Sequence, residues 1–286
     1  MRKIKILLAS GLLLFAATAC GDDDDNGDVA GDADAATATK IDVTASEYAF
    51  DVPATFEGGT VEMSYTNAGK EPHFAAFAKV ADGKTYADVK AALSAAPGTA
   101  PAGPPPFTEW AGAPTADPGG AGKMAFDLPE GTYALFCSIP SPDGQSHAAK
   151  GMVTEVTVTS GTPVDLPEAV GTITGTDFAL TAAPDLKAGS NVVQLRNDGK
   201  QLHELNLVEF PAGKTLADLT EWAKGQAGPP PASFQSGVAV APGEDGTTEV
   251  DLKEGSTYAF VCLIPDTLGD FAAHLTKGMA TSTFTI

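Results

Sequence analysis

Positive charge, cysteine and histidine are all scarce in this 286-residue chain: 17 Lys and Arg stand against 37 Asp and Glu, with three Cys and four His. A formal net charge of −20 makes nucleic acid a poor partner, because little on such a surface would neutralise a phosphate backbone. Three cysteines cannot staple a small disulfide scaffold. There is no phosphate-cradling Gly loop, no His-Glu-x-x-His helix motif and no Ser-His-Asp constellation, which leaves nucleotide and hydrolase readings without support. The one long apolar run, Ile6 to Phe15, is too short to span a bilayer as a stable anchor.

The composition that is present favours β-structure. Thirty-one Gly and 21 Pro, with few helical patterns, point to short strands joined by many turns, and 43% hydrophobic content suffices for two cores. At the N-terminus, Arg2, Lys3 and Lys5 precede the apolar run, and Ala16-Ala17-Thr18-Ala19 leads to Cys20, so residues 1–20 read as an export signal. A small residue before Cys, followed by Gly-Asp, resembles the lipobox of bacterial lipoproteins, although Ala17 departs from the usual Leu. That resemblance implies lipidation at Cys20 and an exported protein anchored to the cell envelope. Residues 21–39, with seven Asp among Gly, Ala and Thr, read as a solvated acidic tether. Beyond it the balance is still −16, suited to a basic partner.

The rest of the chain is a duplication. Residues 46–90 match 176–220 at a constant offset of 130, pairing Glu47-Tyr48-Ala49-Phe50 with Asp177-Phe178-Ala179-Leu180. The same offset pairs Asn67, Gly69, Lys70 and His73 with Asn197, Gly199, Lys200 and His203. The match resumes in the segments ending at Cys137 and Cys262, and Lys150-Gly151-Met152 pairs with Lys277-Gly278-Met279. The boundary falls near 161–168, giving domains over 40–160 and 168–286. Alternating apolar and polar residues over Val61–Asn67 predict a half-buried strand. Thr85-x-x-Asp88 and Thr215-x-x-Asp218 predict helix N-caps, each opening a short helical insertion that runs into a Gly-Pro-Pro-Pro segment and covers the sandwich.

Each copy holds one Cys and two His, with a Met five residues after the second His: His73, Cys137, His147, Met152, then His203, Cys262, His274, Met279. A lone thiol per domain in an oxidising compartment has no disulfide partner in its own domain, and a metal thiolate explains it better. One thiolate, two imidazoles and a weak thioether form the trigonal donor set with an axial Met that suits copper cycling between Cu(I) and Cu(II). A lone His or Met is usually core or surface; this set occurs twice in register.

In these residues the chain resembles the cupredoxins, the type 1 blue-copper proteins, over nearly all of 40–286. The resemblance implies two tandem Greek-key β-sandwich domains with one copper each. It also implies that His73 and His203 anchor from the interior, that His147 and His274 lie nearer the surface where a redox partner docks, and that Met152 and Met279 are weak axial ligands. Small cupredoxins place two to four residues between Cys and the second His. Here nine intervene in the first copy and eleven in the second, and these long loops ending His-x-x-x-Gly-Met resemble the type 1 site of copper nitrite reductases. In those enzymes the catalytic copper takes additional His, one directly before the Cys, where this chain has Phe136 and Val261. The expectation is therefore an electron carrier that is not an enzyme, serving a redox partner of the basic c-type cytochrome class. Copper buffering or delivery, and a metal-free interaction module, are the alternatives.

Overall fold

Alternation of apolar and polar side chains turns most of the chain into short strands. The computed structural model describes residues 36–95, 105–181, 184–225 and 228–286. The export signal, Cys20 and the tether before residue 36 lie outside them. No helix among the described residues is long and apolar enough to cross a membrane.

The first copy comprises β1 (Thr39–Ser46), β2 (Ala49–Asp51), β3 (Thr55–Glu57), β4 (Gly59–Asn67), β5 (His73–Val80), α1 (Tyr86–Leu93), β6 (Phe107–Ala116), β7 (Ala121–Leu128), β8 (Gly131–Phe136) and β9 (Val153–Thr159). The second comprises β10 (Gly171–Thr176), β11 (Ala179–Thr181), β12 (Gly189–Asn197), β13 (His203–Phe210), α2 (Leu216–Ala223), β14 (Ser233–Val240), β15 (Asp245–Leu252), β16 (Thr257–Val261) and β17 (Phe284–Thr285). Each copy is a two-sheet Greek-key sandwich. In the first, β7-β4-β1-β2 faces β6-β5-β8-β9-β3; in the second, β11-β10-β12-β15 faces β14-β13-β16-β17. The fold is cupredoxin-like, as the sequence implies. The alternation in β4 is borne out, with Val61, Met63 and Tyr65 buried in the core.

Both helices begin where the caps predict. Thr85 and Asp88, and Thr215 and Asp218, form reciprocal capping boxes that satisfy otherwise orphaned N–H groups. Val89 and Leu219 are the helices' buried anchors, and α1 lies on β8 and β9.

The copies are also joined edge to edge. Strand β7 pairs antiparallel with its own equivalent β15, and β6 with its equivalent β14, so both sheets run through both copies. Met124 lies opposite Thr248, the position it matches in the duplication, which puts a local two-fold axis between them. Pairing covers edges that a single sandwich would expose.

Candidate metal centres

Each centre starts from a turn. In the first copy the Asn67 side chain accepts from Gly69 N–H and donates to the carbonyls of Glu71 and Ala116, holding the turn that delivers His73 onto β5. Asn197 does the same with Gly199, Gln201 and Val240 ahead of His203. Glycine is required in these turns: a Cβ at Gly69 would lie 2.8 Å from His73 Nε2, and one at Gly199 only 2.3 Å from His203 Nε2.

Cys137 and Cys262 follow the last residues of β8 and β16, and their backbone N–H groups donate to Met152 and Met279 carbonyls, at 3.2 and 3.1 Å. The intervening loops close alike. His147 N–H donates to Ile139 O and His274 N–H to Ile264 O, both at 2.9 Å, while Met152 and Met279 N–H donate to the carbonyls of His147 and His274. The two additional residues of the second loop fall in the Asp266–Ala272 excursion, which carries the exposed Leu268 and Phe271.

The folded chain brings His73, Cys137 and His147 together, and likewise His203, Cys262 and His274; in each group the donor atoms lie within 4.8 Å of one another. The two Nδ1 atoms face each other at 2.9 Å in the first group and 3.3 Å in the second. Cysteine Sγ lies 3.5 and 3.4 Å from the loop histidine Nδ1. All six side chains, with Met152 and Met279, are fully buried. A Cβ placed on Gly175 would touch both the Met279 methyl and the His203 ring, so that Met lies beside its group.

Burial sets the electrostatics. It pushes the Cys137 thiol up to about 12 and Cys262 well above its usual range, since an isolated thiolate loses hydration. It depresses all four imidazoles, His274 to about 4 with His203 adding to the effect. Phe74 and Glu204 N–H groups point at the sulfurs, at 3.5 and 3.4 Å. Neutral imidazoles and a buried sulfur lacking a countercharge are a donor set that fits a soft or borderline cation.

Sequence reasoning missed the residues over the donors. By resemblance the loop histidines should be the ligands nearer the surface, yet all four imidazoles are equally buried. Tyr48 covers His147 at a ring separation of 5.2 Å and Phe178 covers His274 at 5.3 Å, with Lys150 and Lys277 above the Tyr48 and Phe178 rings. Glu47 and Asp177 stand 3.6 and 3.3 Å from Nε2 of His73 and His203. The alignment of Glu47-Tyr48 with Asp177-Phe178 was the available signal. Glu71 is 2.8 Å from His147 Nε2, whereas Gln201 takes its place in the second copy and turns its Oε1 to Thr267 and Leu268.

No family model matches the chain, and no curated protein does. Solved structures do. Reduced auracyanin from Roseiflexus castenholzii is 23% identical, covering 44% of this chain and 99% of its own, with a TM-score of 0.29. A multicopper oxidase is 14% identical over 86% of this chain and 88% of its own, with a TM-score of 0.23. Copper nitrite reductase from Nitrosomonas europaea is 15% identical over 87% and 94%, with a TM-score of 0.25. The expectation that the chain is not an enzyme is corrected here, since the solved structures spanning most of its length include a multicopper oxidase and a copper nitrite reductase. Counting histidines bounds only the donors of one chain; a second copy or a carboxylate can supply others. Strand order and the two buried His-Cys-His groups make this chain cupredoxin-like, with two donor groups that fit a type 1 site.

Proposed function

We propose that this chain is an exported, lipid-anchored one-electron carrier with one copper ion in each copy. His73, Cys137, His147 and Met152 would hold the first, and His203, Cys262, His274 and Met279 the second. One observation carries this reading: two equivalent, fully buried sets of two imidazoles and a thiol, each closed by the same loop hydrogen bonds. Bound copper would supply a one-electron couple of the Cu(I)/Cu(II) kind.

The chain's own residues suit that task. Backbone N–H groups at Phe74 and Glu204 stabilise charge on sulfur, and the aromatic covers keep water from the donors. Complete burial of every donor favours a metal that is retained over one that is handed on. The acidic surface favours a basic redox partner, of which a c-type cytochrome is the expected class, and Cys20 would carry the lipid.

Spectroelectrochemistry of copper-loaded protein tests this. The expected result is an intense thiolate-to-copper band that bleaches and returns over repeated cycles with copper retained. Loss of Cu(I) to a competing chelator at each reduction would instead indicate copper handling, and protein from copper-supplied cells that holds no copper would indicate a metal-free module.

A further inference from the structure

The two centres share their donors but not their covers, and the difference concentrates on one carboxylate. Glu71 Oε2 lies 2.8 Å from His147 Nε2, while Oε1 accepts from Tyr48 Oη at 3.1 Å. Ser141 Oγ and Lys150 Nζ donate to Tyr48 Oη, at 3.2 and 3.1 Å.

In the second copy the carboxylate and the hydroxyl of this network are missing, although Lys277 still stands over Phe178. Gln201 replaces Glu71, Phe178 lacks the hydroxyl of Tyr48, and His274 Nε2 is buried with no hydrogen-bond partner among the described residues. Gln201 instead braces the longer loop through Thr267 and Leu268. Of the carboxylates around this centre, Asp177 faces His203 and Asp266 pairs with Lys277. The molecule therefore contains its own control: one loop histidine whose Nε2 meets an anion and one whose Nε2 has no hydrogen-bond partner among the described residues.

We infer that Glu71 is a positioning residue of the first centre, accepting the Nε2–H of His147 so that Nδ1 is presented to the metal and the first centre favours Cu(II) over Cu(I) more strongly than it would without that carboxylate. This rests on the copper reading above. An imidazole that donates to a carboxylate is fixed in one tautomer and is a more basic ligand, and added negative charge stabilises the higher oxidation state. Tyr48 holds the carboxylate in place, so its role is one step further from the metal.

The test uses full-length Cys262→Ser protein, in which only the first centre can load, and follows the reduction potential through the visible band. Glu71→Gln keeps shape and volume. Copper is expected to remain bound while its preference for Cu(II) over Cu(I) falls about tenfold or more, a rise of about 59 mV for a one-electron couple. Tyr48→Phe should shift the potential in the same direction by less. In Cys137→Ser protein, where only the second centre loads, Glu71→Gln should change nothing. An unchanged potential in Glu71→Gln with copper retained would overturn the inference. If that variant loses copper, Tyr48→Phe decides, and an unshifted potential there overturns it equally. Failure of the copper reading looks different: Cys262→Ser protein with Glu71 intact would bind no copper and show no band.

Discussion

Glu204 shows how much one side chain can separate two otherwise matched sites. It stands where the first copy has Phe74, its N–H points at Cys262 Sγ, and its buried Oε1 accepts from Leu263 N–H at 2.6 Å. Burial raises its carboxyl to about 7 from an ordinary 4.5. A carboxyl raised on folding binds its proton more tightly in the folded state, so its favourable contribution is present below about pH 4.5 and is lost as pH rises through 7. In metal-free protein Glu204→Gln should match wild type in stability near pH 4 and exceed it at pH 8 by on the order of 3 kcal/mol. Denaturant melts at both pH values check this; an equal difference at the two would refute it. The donors themselves were legible in the sequence because His, Cys and Met are rare here and recur in order. Glu71, Tyr48 and Glu204 were not, because they are common residue types whose role appears only when the fold lays them against a ring or a sulfur.

At the scale of elements, caps and turns were the most readable features. The Thr-x-x-Asp boxes and the alternation in β4 satisfy local hydrogen-bonding and burial rules that need no knowledge of the rest of the chain. The Asn-x-Gly-Lys turns were visible as repeats, yet their reason is tertiary: the glycines leave room for a histidine ring. Gly199→Ala would put a methyl carbon 2.3 Å from His203 Nε2 and 2.8 Å from Asp177 Oδ1, so the ring has to move. Copper content of the full chain should fall from about two to about one per molecule, with the first centre's spectrum intact. Two copper ions and an unaltered spectrum would show that the turn does not position His203. The second loop looked the costlier to order at eleven residues against nine, by a small margin. The fold absorbs the excess in an excursion beyond Ile264, leaving the hydrogen bonds donated by the N–H groups of Cys262, His274 and Met279 equivalent to those of Cys137, His147 and Met152.

For the whole molecule, the duplication was plain in the sequence but the joining of the sheets was not. Residues such as Met124 and Thr248 carry no mark of a partner strand, because edge pairing runs through backbone groups that every residue possesses. The join places four strands between the Cys-bearing strands β8 and β16, about 24 Å across the sheet at the usual inter-strand spacing. No donor of either group comes from the other copy. The two centres should therefore load independently, and the most direct test is copper per chain in wild type, Cys137→Ser and Cys262→Ser, measured alongside the visible spectrum. Values near two, one and one, each with a thiolate-to-copper band, are expected. A wild-type value near one that drops to zero in either variant would mean a single shared site and would contradict the two-centre account.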